Sequence, residues 1–502
     1  MTGAIGQAAD VVIIGGGMAG LEVAGLLAET GVEDVLVLES GPQADSRHNN
    51  MALTNPDALR RWLAPETDPY FERRWVSRTP PHYTGPSGLR RRLGGRSLYW
   101  YGVCLPVDDW ARADWPQDVM ADLAVSWQGG PSLYDRTRAM LRRWSGGDDT
   151  PSRPDLHLGD LAFAPTPVAV RADGDRWRAY SPLDRWRDPE VGGAPTLPPG
   201  VRVALGADVR DVLLDAGGRA MGVRFASADG ETEVRATSVV LAAGTLENTR
   251  LALQAVAAVD AGRRPVIGTL NDHVVQGFFL RVDEPALAAV QDRLPRGGRC
   301  SLGDGRSRSN VFVDVSAGND GTGLVDVRAT GEQLPDDACR VTLEHTAEGR
   351  RLEVFATPSA RDRELIAAQR RTLAAVWADL AAILRLPEGR LDFGDFDSPA
   401  RVNAFVLPET IDSAPTGTPL TWSSYLGVED HEAGTLPLGS FLDLDHEVRQ
   451  VPGLFVAGPS SFPRMGAANP SLTTLSLARR LAGVLAERRG AGVPAVSAEA
   501  RA

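Results

Sequence analysis

Lysine is absent from this sequence, and cysteine is scarce. All 53 basic residues are arginine, so a Schiff base on a lysine side chain is excluded. The three cysteines, Cys104, Cys300 and Cys339, lie far apart, without a CxxC pair or a Cys/His cluster. We therefore expect no disulfide framework, no metal site, and a reducing, cytoplasmic compartment.

Long apolar segments and a secretory leader are missing as well. The best candidate for a membrane span, residues 11–28, contains Glu22 and many glycines, so we expect no transmembrane helix. The first residues carry no basic stretch and no cleavage-like site, so we expect no signal peptide. The net charge of −12 repels phosphate backbones, which argues against nucleic acid and anionic membranes as partners.

What the amino-terminal segment does contain is the pattern of a strand, a glycine turn, a helix and a second strand. The apolar run VVII at 11–14 meets GGGMAG at 15–20, a helix-like stretch follows at 21–31, and DVLVLESG at 34–41 resembles the next strand. Such an order within about thirty residues predicts a βαβ unit.

The glycine turn of this unit has the spacing GxGxxG, with Met18 and Ala19 between its last two glycines. Gly15 makes the tight turn, Gly17 lets the backbone approach a pyrophosphate, and Gly20 allows close packing of helix on strand. The amino terminus of the helix offers unpaired N–H groups to the phosphates.

Glu39 closes the second strand, 19 residues after Gly20, and is followed by Ser40. An acid at this place can accept hydrogen bonds from a ribose diol. From this unit alone, a nicotinamide cofactor and a glycine turn without any ligand both remain open.

Further along, residues 201–242 have the pattern of short strands that end in SVVLAAG, which leads into a helix and indicates a return to the first sheet. Residues 265–425 contain more strand-like runs and one long amphipathic helix at about 361–386. A strand within 451–463 and a helix at 469–490 close the fold.

The closing segment favours a flavin over a nicotinamide. NPSLT places Asn469 and Thr473 beside a helix amino terminus that starts near Pro470. Negative charge on a reduced flavin is favoured at such a terminus, whereas a nicotinamide enzyme needs no second wall so far along the chain.

Six segments, in order, resemble the glucose–methanol–choline (GMC) oxidoreductase family. They are VVIIGGGMAGLEVAGLLAETGVEDVLVLESG, LGGRSLYWYG, VVLAAGTLENTRLAL, LNDH, HEAGTLPLG and LFVAGPSSFPRMGAANPSLTTLSLA. The resemblance covers nearly the whole chain, although 105–200 and 280–425 carry no matching motif. The ending GAANPSLTTLSLA is similar to the pyranose-oxidase-like branch.

The resemblance implies FAD as the cofactor and suggests which residues hold it. These are Gly15, Gly17, Met18, Ala19, Gly20, Glu39 and Ser40 for the ADP part, Gly94, Gly95, Arg96 and Ser97 for the turn over pyrophosphate and flavin, Val209 for the adenine, Ala243 and Gly244 for the second signature, and Gly458, Pro459, Asn469, Pro470 and Thr473 for the carboxyl-terminal flavin wall.

Two departures from the family pattern matter. Relatives that bind FAD covalently use a histidine after the GG turn, but RSLYWYG contains none, so we predict non-covalent FAD. Arg96 stands where a small or apolar residue is more usual, and its guanidinium could meet the pyrophosphate, a substrate acid or only the surface. Trp100, with Tyr99 and Tyr101, is expected to cover the flavin, to line the substrate cavity or simply to pack in the core.

His431 in HEAGT matches the histidine that, in this family, faces the flavin N5 side, and Asn469 matches its paired position. A neutral imidazole with a pKa near neutrality suits removal of a hydroxyl proton while hydride leaves the carbon, and the amide can hold the oxygen. In an extended segment Asp430 and Glu432 would point away from His431, so we expect them to be outward or structural and to perturb it only modestly.

Alternative readings accompany these histidines. His431 could be a structural histidine in a turn. His273 in LNDH is expected to tie two domains together, with a smaller chance of lining the site, and His446 to belong to a turn.

The predicted fold is α/β (α+β overall). A Rossmann-like FAD-binding domain takes residues 8–270 with 428–490, a substrate-binding domain on a mostly antiparallel sheet backed by helices takes 271–427, and 491–502 form a disordered tail.

The predicted activity is oxidation of a CH–OH group in a sugar, glycoside or natural-product alcohol, by proton abstraction and hydride transfer to flavin N5. Oxygen or another acceptor would then take the electrons. A lyase or other non-redox enzyme on the same FAD-containing fold is the alternative, and a catalytically silent flavoprotein that binds a partner is the third possibility.

Overall fold

The computed structural model describes residues 7–42, 47–49, 57, 61, 64–84, 87–146, 155–173, 176–186, 196–260, 266–294, 299–317, 320–346, 349–397 and 408–490. Its helices are α1 (Met18–Glu29), α2 (Gln117–Ala124), α3 (Leu133–Ser145), α4 (Thr245–Val259), α5 (Glu284–Ala288), α6 (Ala360–Leu384), α7 (Pro408–Ser413) and α8 (Ser471–Arg488).

The strands of the described residues, numbered along the chain, are β1 (Ala8–Ile14), β2 (Val35–Glu39), β3 (Phe71–Glu72), β4 (Trp75–Ser77), β5 (Leu89–Arg90), β6 (Ser126–Trp127), β7 (Gly130–Pro131), β8 (Leu156–Leu158), β9 (Leu161–Pro165), β10 (Val170–Asp173), β11 (Arg176–Ala179), β12 (Val201–Leu205), β13 (Asp208–Leu214), β14 (Ala220–Ser227), β15 (Gly230–Leu241), β16 (Val266–Ile267), β17 (His273–Val282), β18 (Arg299–Asp304), β19 (Ser309–Ala317), β20 (Gly323–Glu332), β21 (Arg340–Thr346), β22 (Gly349–Phe355), β23 (Leu420–Ser423) and β24 (Leu454–Val456).

The first sheet has seven strands in the order β12-β2-β1-β15-β14-β13, with β24 also pairing with β15. Strands β12, β2, β1, β15 and β24 are parallel, and Ile14 of β1 lies opposite both Leu38 and Leu241. The apolar runs of β1 and β2 are almost completely buried, as expected for parallel strands covered on both faces. The predicted βαβ unit β1-α1-β2 is confirmed, and the carboxyl ends of five parallel strands meet at one edge, where open α/β sheets bind ligands.

The second sheet has seven strands in the order β23-β17-β20-β19-β18-β9-β8, and all its pairings are antiparallel. Helix α6, predicted at about 361–386, packs on it through Leu373, Val376, Trp377 and Leu380, which share one buried cluster with Phe278 of β17. The predicted fold class, a Rossmann-like part plus a mostly antiparallel sheet backed by a helix, is confirmed.

The division into domains stays a prediction. Strands β8 and β9 belong to the predicted range 8–270 but extend the second sheet, and the predicted tail 491–502 lies outside the described residues. A four-stranded sheet, β16-β21-β22-β4, and three two-stranded sheets complete the strand pairings found in the described ranges. None of the described helices is both long enough and apolar enough to cross a membrane.

Candidate active site

One continuous cavity begins at the carboxyl edge of the first sheet and reaches the second sheet. Most of the residues predicted for the site line it: Gly15, Gly17, Met18, Ala19, Glu39, Ser40, Gly95, Arg96, Ser97, Trp100, Val209, Ala243, Gly244, His431, Gly458, Pro459, Asn469 and Pro470. Their positions are separated by hundreds of residues along the chain, and the parallel strand ends bring them together.

At the carboxyl edge of the first sheet the cavity is lined by a backbone cradle formed by two glycine turns, residues 15–18 and 94–95. Helix α1 has Gly17 at its N-cap and no side-chain cap, so its first amides are free of a side-chain partner of that kind. A Cβ on Gly17 would meet no atom within 4 Å, and one on Gly95 would lie 3.3 Å from the Gly17 Cα. Open backbone beside uncapped N–H groups suits a pyrophosphate.

Three residues predicted to bind the cofactor do not line the cavity. A Cβ on Gly20 would lie 2.1 Å from the Gly15 carbonyl oxygen, so Gly20 serves the packing of α1 on β1. Gly94 adopts φ +98° and donates its amide to the Gly16 carbonyl at 2.7 Å. The hydroxyl of Thr473 lies 2.9 Å from that of Tyr134, on the far side of the wall.

Glu39 lies beside the cradle with its carboxylate buried. One oxygen accepts the Gly16 amide at 2.9 Å, and the other accepts the Gly41 amide at 2.7 Å. Burial raises the pKa of Glu39 to about 7, although both amides and the charge of Arg91 act in the opposite direction. The second oxygen also accepts the Ser40 hydroxyl at 3.4 Å, whereas the oxygen on Gly16 keeps a lone pair with which it can accept a hydrogen bond from a diol.

Arg96 joins the cradle to the segment that carries His431. Its guanidinium donates to both oxygens of Glu432, at 2.7 and 3.1 Å, and to the Gly88 carbonyl at 2.7 Å. It also lies 3.2 Å from a carboxylate oxygen of Asp430, and Ser87 donates to Glu432. The sequence leaves open whether Arg96 meets the pyrophosphate, a substrate acid or only the surface. In the structure it lies at the cavity wall and pairs with two acids of the protein itself.

The expectation that Asp430 and Glu432 point outward is wrong. Asp430 has φ +55°, so the segment is not extended there, and the two side chains are only 4% and 1% exposed. Burial raises the pKa of Asp430 to about 7, with Arg96 opposing. Burial also acts to raise the pKa of Glu432, but the charge and hydrogen bonds of Arg96 lower it. Glu432 is therefore held by two hydrogen bonds from Arg96, whereas Asp430 meets the same arginine as an ion pair and its carboxylate oxygens have no hydrogen-bond partner among the described residues.

His431 meets His273 across a short antiparallel bridge. Asn271 and Ala433 exchange backbone hydrogen bonds of 2.8 and 3.2 Å, which places the two histidines opposite each other. Their Nδ1 atoms are 2.9 Å apart, and the ring planes lie at 78°. We expected His273 to tie two domains together. In the structure its ring contacts His431, a residue that lines the cavity.

The pKa of His431 is lower than the near-neutral value that we expected. Burial lowers it to about 3, and the positive charge of Arg96 adds to the effect. His431 is consequently a neutral imidazole at physiological pH.

Asn469 lies at the same cavity, next to the start of α8. Its Oδ1 is buried and finds no hydrogen-bond partner among the described residues. Asp108 fastens the preceding turn, since its Oδ2 accepts the amides of Ala467 at 2.6 Å and Ala468 at 3.0 Å, while Asn310 donates to its other oxygen. A buried acceptor without a partner is costly, so a hydrogen-bond donor from a bound molecule is the natural complement.

We call the part of the cavity at the second sheet the outer chamber. It is lined by Tyr101, Phe279, Arg299, Phe312, Arg328, Thr330, Trp422 and Glu429. Arg328 pairs with Asp326 and lies 5.9 Å from the Trp422 ring. Burial raises the pKa of Glu429, with Arg328 opposing.

Sequence reasoning missed most of the outer chamber, as well as Asp108 and the contact made by His273. Five residues of the chamber stand on five different strands, in stretches that resembled no motif: Phe279, Arg299, Phe312, Arg328 and Trp422. The signal that was available is the pairing of LNDH with HEAGT, because two segments that each hold a lone histidine could have been tested as strand partners.

The site fits an FAD molecule. The cradle is open where phosphates would lie, Glu39 is placed for a ribose, and Asn469 offers an unpaired acceptor beside the helix terminus where a flavin ring would end. Trp100, whose Nε1 donates to the Tyr180 carbonyl at 2.8 Å, forms part of the wall between the cradle and the outer chamber.

Comparison with known families agrees with this fit. Residues 335–478 match a family described as GMC oxidoreductase, and residues 10–61 match one described as FAD binding domain. No curated protein matches the chain.

Known structures share the fold over nearly the full length. Pyridoxine 4-oxidase from Mesorbium loti is 19% identical, covers 94% of this chain and 98% of its own, and gives a TM-score of 0.57. A formate oxidase from Aspergillus oryzae RIB40, mutated to study FAD modification, is 15% identical, covers 97% and 100%, and gives 0.60. Another formate oxidase structure is 15% identical, covers 97% and 99%, and gives 0.59.

The two family matches fall on the two halves of the cavity. The first includes His431 and Asn469, and the second includes Gly15, Gly17 and Glu39. The carboxyl-terminal part of the chain therefore matches the GMC oxidoreductase family, and its amino-terminal part matches an FAD binding domain.

Proposed function

We propose that this protein oxidises a CH–OH group of a sugar, glycoside or natural-product alcohol to the carbonyl, with FAD as the hydride acceptor. The observation that carries the proposal is that a neutral His431 and Asn469, whose Oδ1 has no partner among the described residues, line the same cavity as the cradle. The site assignments within the cavity, including the cofactor contacts, belong to this proposal.

His431 is the base in this reaction. Its Nδ1 is engaged with His273, so Nε2 is the nitrogen left for the hydroxyl proton of a substrate. A positioned base contributes about 10²–10⁴-fold to such a proton transfer. The low pKa of His431 keeps its imidazole unprotonated and ready to accept a proton, although it also lowers the proton affinity. After the transfer, the same low pKa favours release of the proton from His431.

The Nδ2 amide of Asn469 donates to the substrate oxygen and thereby aims its C–H bond, because the single hydroxyl hydrogen goes to His431 and Oδ1 can only accept. The FAD supplies the acceptor for the hydride, and the substrate carbon becomes a carbonyl as the O–H proton passes to His431. Two electrons and one proton leave with the hydride, so an external acceptor, oxygen or another oxidant, must regenerate the cofactor.

The outer chamber supports a hydroxylated substrate with apolar faces. Aromatic rings of Tyr101, Phe312 and Trp422 offer flat contact surfaces, while Arg328 and Glu429 can bond hydroxyl groups. This mixture suits a sugar or glycoside better than a simple aliphatic alcohol.

We also propose that the protein belongs to the pyranose-oxidase-like branch, because its carboxyl-terminal motif is similar to the ending of that branch.

Non-covalent binding of FAD and a cytoplasmic location are part of the same proposal. Among the described residues that line the cavity, His431 is the only histidine and no cysteine occurs, which leaves few groups for a covalent link. Cys104, Cys300 and Cys339 are buried and form no disulfide with one another, as in proteins of reducing compartments.

The test is anaerobic reduction of the protein-bound flavin by a panel of sugars, glycosides, polyols and simple alcohols, followed by admission of air. His431→Gln should keep FAD but slow reduction by about 10²–10⁴-fold. His157→Gln, a change at an exposed histidine, is the matched control and should react like the native protein. Substrate turnover without flavin bleaching would instead point to a lyase.

A further inference from the structure

Two histidines, one buried and one partly buried, touch where the proposed reaction needs one base. His273 is 1% exposed, and its ring reaches His431 through Nδ1 at 2.9 Å and the Gly466 carbonyl through Nε2 at 3.2 Å. The proposed function assigns a role to His431 but none to His273.

The positions of the protons follow from these contacts. A carbonyl oxygen only accepts, so Nε2 of His273 carries a hydrogen and donates it to Gly466. A neutral imidazole carries one hydrogen, so Nδ1 of His273 is an acceptor. The Nδ1 of His431, 2.9 Å away, must then be the donor, and its Nε2 is left with a free lone pair.

Both rings are neutral, as this argument requires. Burial lowers the pKa of His273 well below its usual range, and the neighbouring His431 lowers it further. Asp272 adjoins His273 in sequence, but its carboxylate is engaged elsewhere. Its oxygens accept the backbone amides of His273 and Gly427 and the hydroxyl of Tyr83.

We propose that His273 is a positioning residue that selects the Nδ1–H tautomer of His431 and holds its ring, so that the unprotonated Nε2 is presented to the cavity. This inference rests on the proposed function for its kinetic consequence, but not for the tautomer itself. When Nε2 takes a proton, the Nδ1–H···Nδ1 bond gains a charged donor and becomes stronger.

His273 also couples the two sides of the site. Gly466, which accepts its Nε2–H, begins the turn that leads to Asn469, and Asp108 holds the next two amides of that turn. One imidazole therefore fixes His431 on one side and the start of the Asn469 turn on the other.

The direct test is ¹⁵N NMR of the FAD-loaded protein labelled at histidine, with the His431 signals assigned from the spectrum of His431→Gln. We expect the Nδ1–H tautomer at His431 in the native protein and a mixture of tautomers in His273→Leu. An Nε2–H tautomer in the native protein, or no change in His273→Leu, would overturn the proposal.

The kinetic test compares His273→Leu with His273→Asn, whose amide oxygen can replace the accepting Nδ1. We expect flavin reduction to slow by about 10–100-fold in the leucine variant, with KM and FAD content near native, and to recover largely in the asparagine variant. Equal rates of flavin reduction in the two variants would show that His273 has only a structural role.

The two proposals fail in different ways. If His431→Gln reduced its flavin at the native rate, the base would be misassigned, whereas the NMR result would still decide the tautomer. If His273→Leu did not fold, the native spectrum and the asparagine variant would still carry the test.

Discussion

The cradle and the outer chamber are two ends of one cavity, and they are built in opposite ways. The cradle consists mainly of backbone, with Gly17 and Gly95 leaving room for a ligand at the ends of parallel strands. The outer chamber consists of side chains from separate strands, such as Phe312 on β19, Arg328 on β20 and Trp422 on β23. A backbone site can bind the same cofactor in many proteins, while a side-chain site is free to change with the substrate.

Between these ends lies the Arg96 clamp, formed by Arg96, Asp430 and Glu432. It belongs to neither part, because Arg96 comes from the glycine turn and the two acids flank His431. The clamp thereby holds the proposed base at a fixed place relative to the cradle. A substitution in the clamp is therefore expected to have a larger effect than one at either end of the cavity.

Removing Arg96 should have the largest effect on stability. Arg96→Ala leaves two buried carboxyl groups without their cation, and breaking a buried pair in this way costs about 3–5 kcal/mol of unfolding free energy. Denaturant unfolding measures this loss. Arg224→Ala, which breaks the exposed pair with Glu233, is the matched control and should unfold like the native protein. Equal stability of both variants would show that the clamp contributes nothing.

Two glycines of one motif should separate folding from cofactor binding. Gly20→Ala brings a Cβ within 2.1 Å of the Gly15 carbonyl and should cost about 1–3 kcal/mol of stability. Gly17→Ala meets no protein atom, so the FAD-free protein should keep its unfolding temperature while the Kd for FAD rises about tenfold or more. Thermal unfolding and FAD titration of both variants measure the two effects, and a reversed order would contradict the description of the cradle.

A change in the outer chamber should affect substrate and leave FAD alone. Glu429→Gln is expected to raise KM about two- to tenfold, as for loss of one hydrogen bond worth about 0.5–1.5 kcal/mol, with little change in FAD affinity. Steady-state kinetics with the substrate that bleaches the flavin measures this. Glu231→Gln, at an exposed position, serves as the control. Weaker FAD binding in Glu429→Gln would mean that the two ends are not separable.

The smallest expected effect is the response to pH. The pKa of His431 is about 3, so the base is already unprotonated between about pH 5 and 8, and its protonation removes activity only as pH falls toward 3. The kcat/KM profile should therefore show no acid limb near 6.5, the ordinary histidine value. A limb at that pH that persists in Asp430→Asn, which removes the neighbouring carboxyl with a pKa of about 7, would mean that His431 is more basic in the loaded enzyme than its burial and Arg96 allow.

Local sequence was sufficient for the first half of the site. GxGxxG between an apolar strand and a helix predicts the cradle because the turn needs glycines at given spacings, and the positive φ of Gly15, the open space at Gly17 and the close packing at Gly20 have this geometry. The long helix α6 was predictable for the same reason, since a periodic apolar stripe of this length has few other uses.

Other features could not be obtained from neighbours in sequence. The burial of Asp430 and Glu432 depends on an arginine more than 330 residues away, with separations of 334 and 336 along the chain. The lowered pKa of His431 depends on burial and on that same arginine. The sequence by itself thus determined the order strand-helix-strand of the βαβ unit and the glycine spacing of the cradle, because these follow from local pattern, and it offered His431 and Asn469 as candidates through the family resemblance. Only the tertiary structure decided the His273 contact, the Arg96 clamp and the outer chamber, because pairing of distant strands creates them.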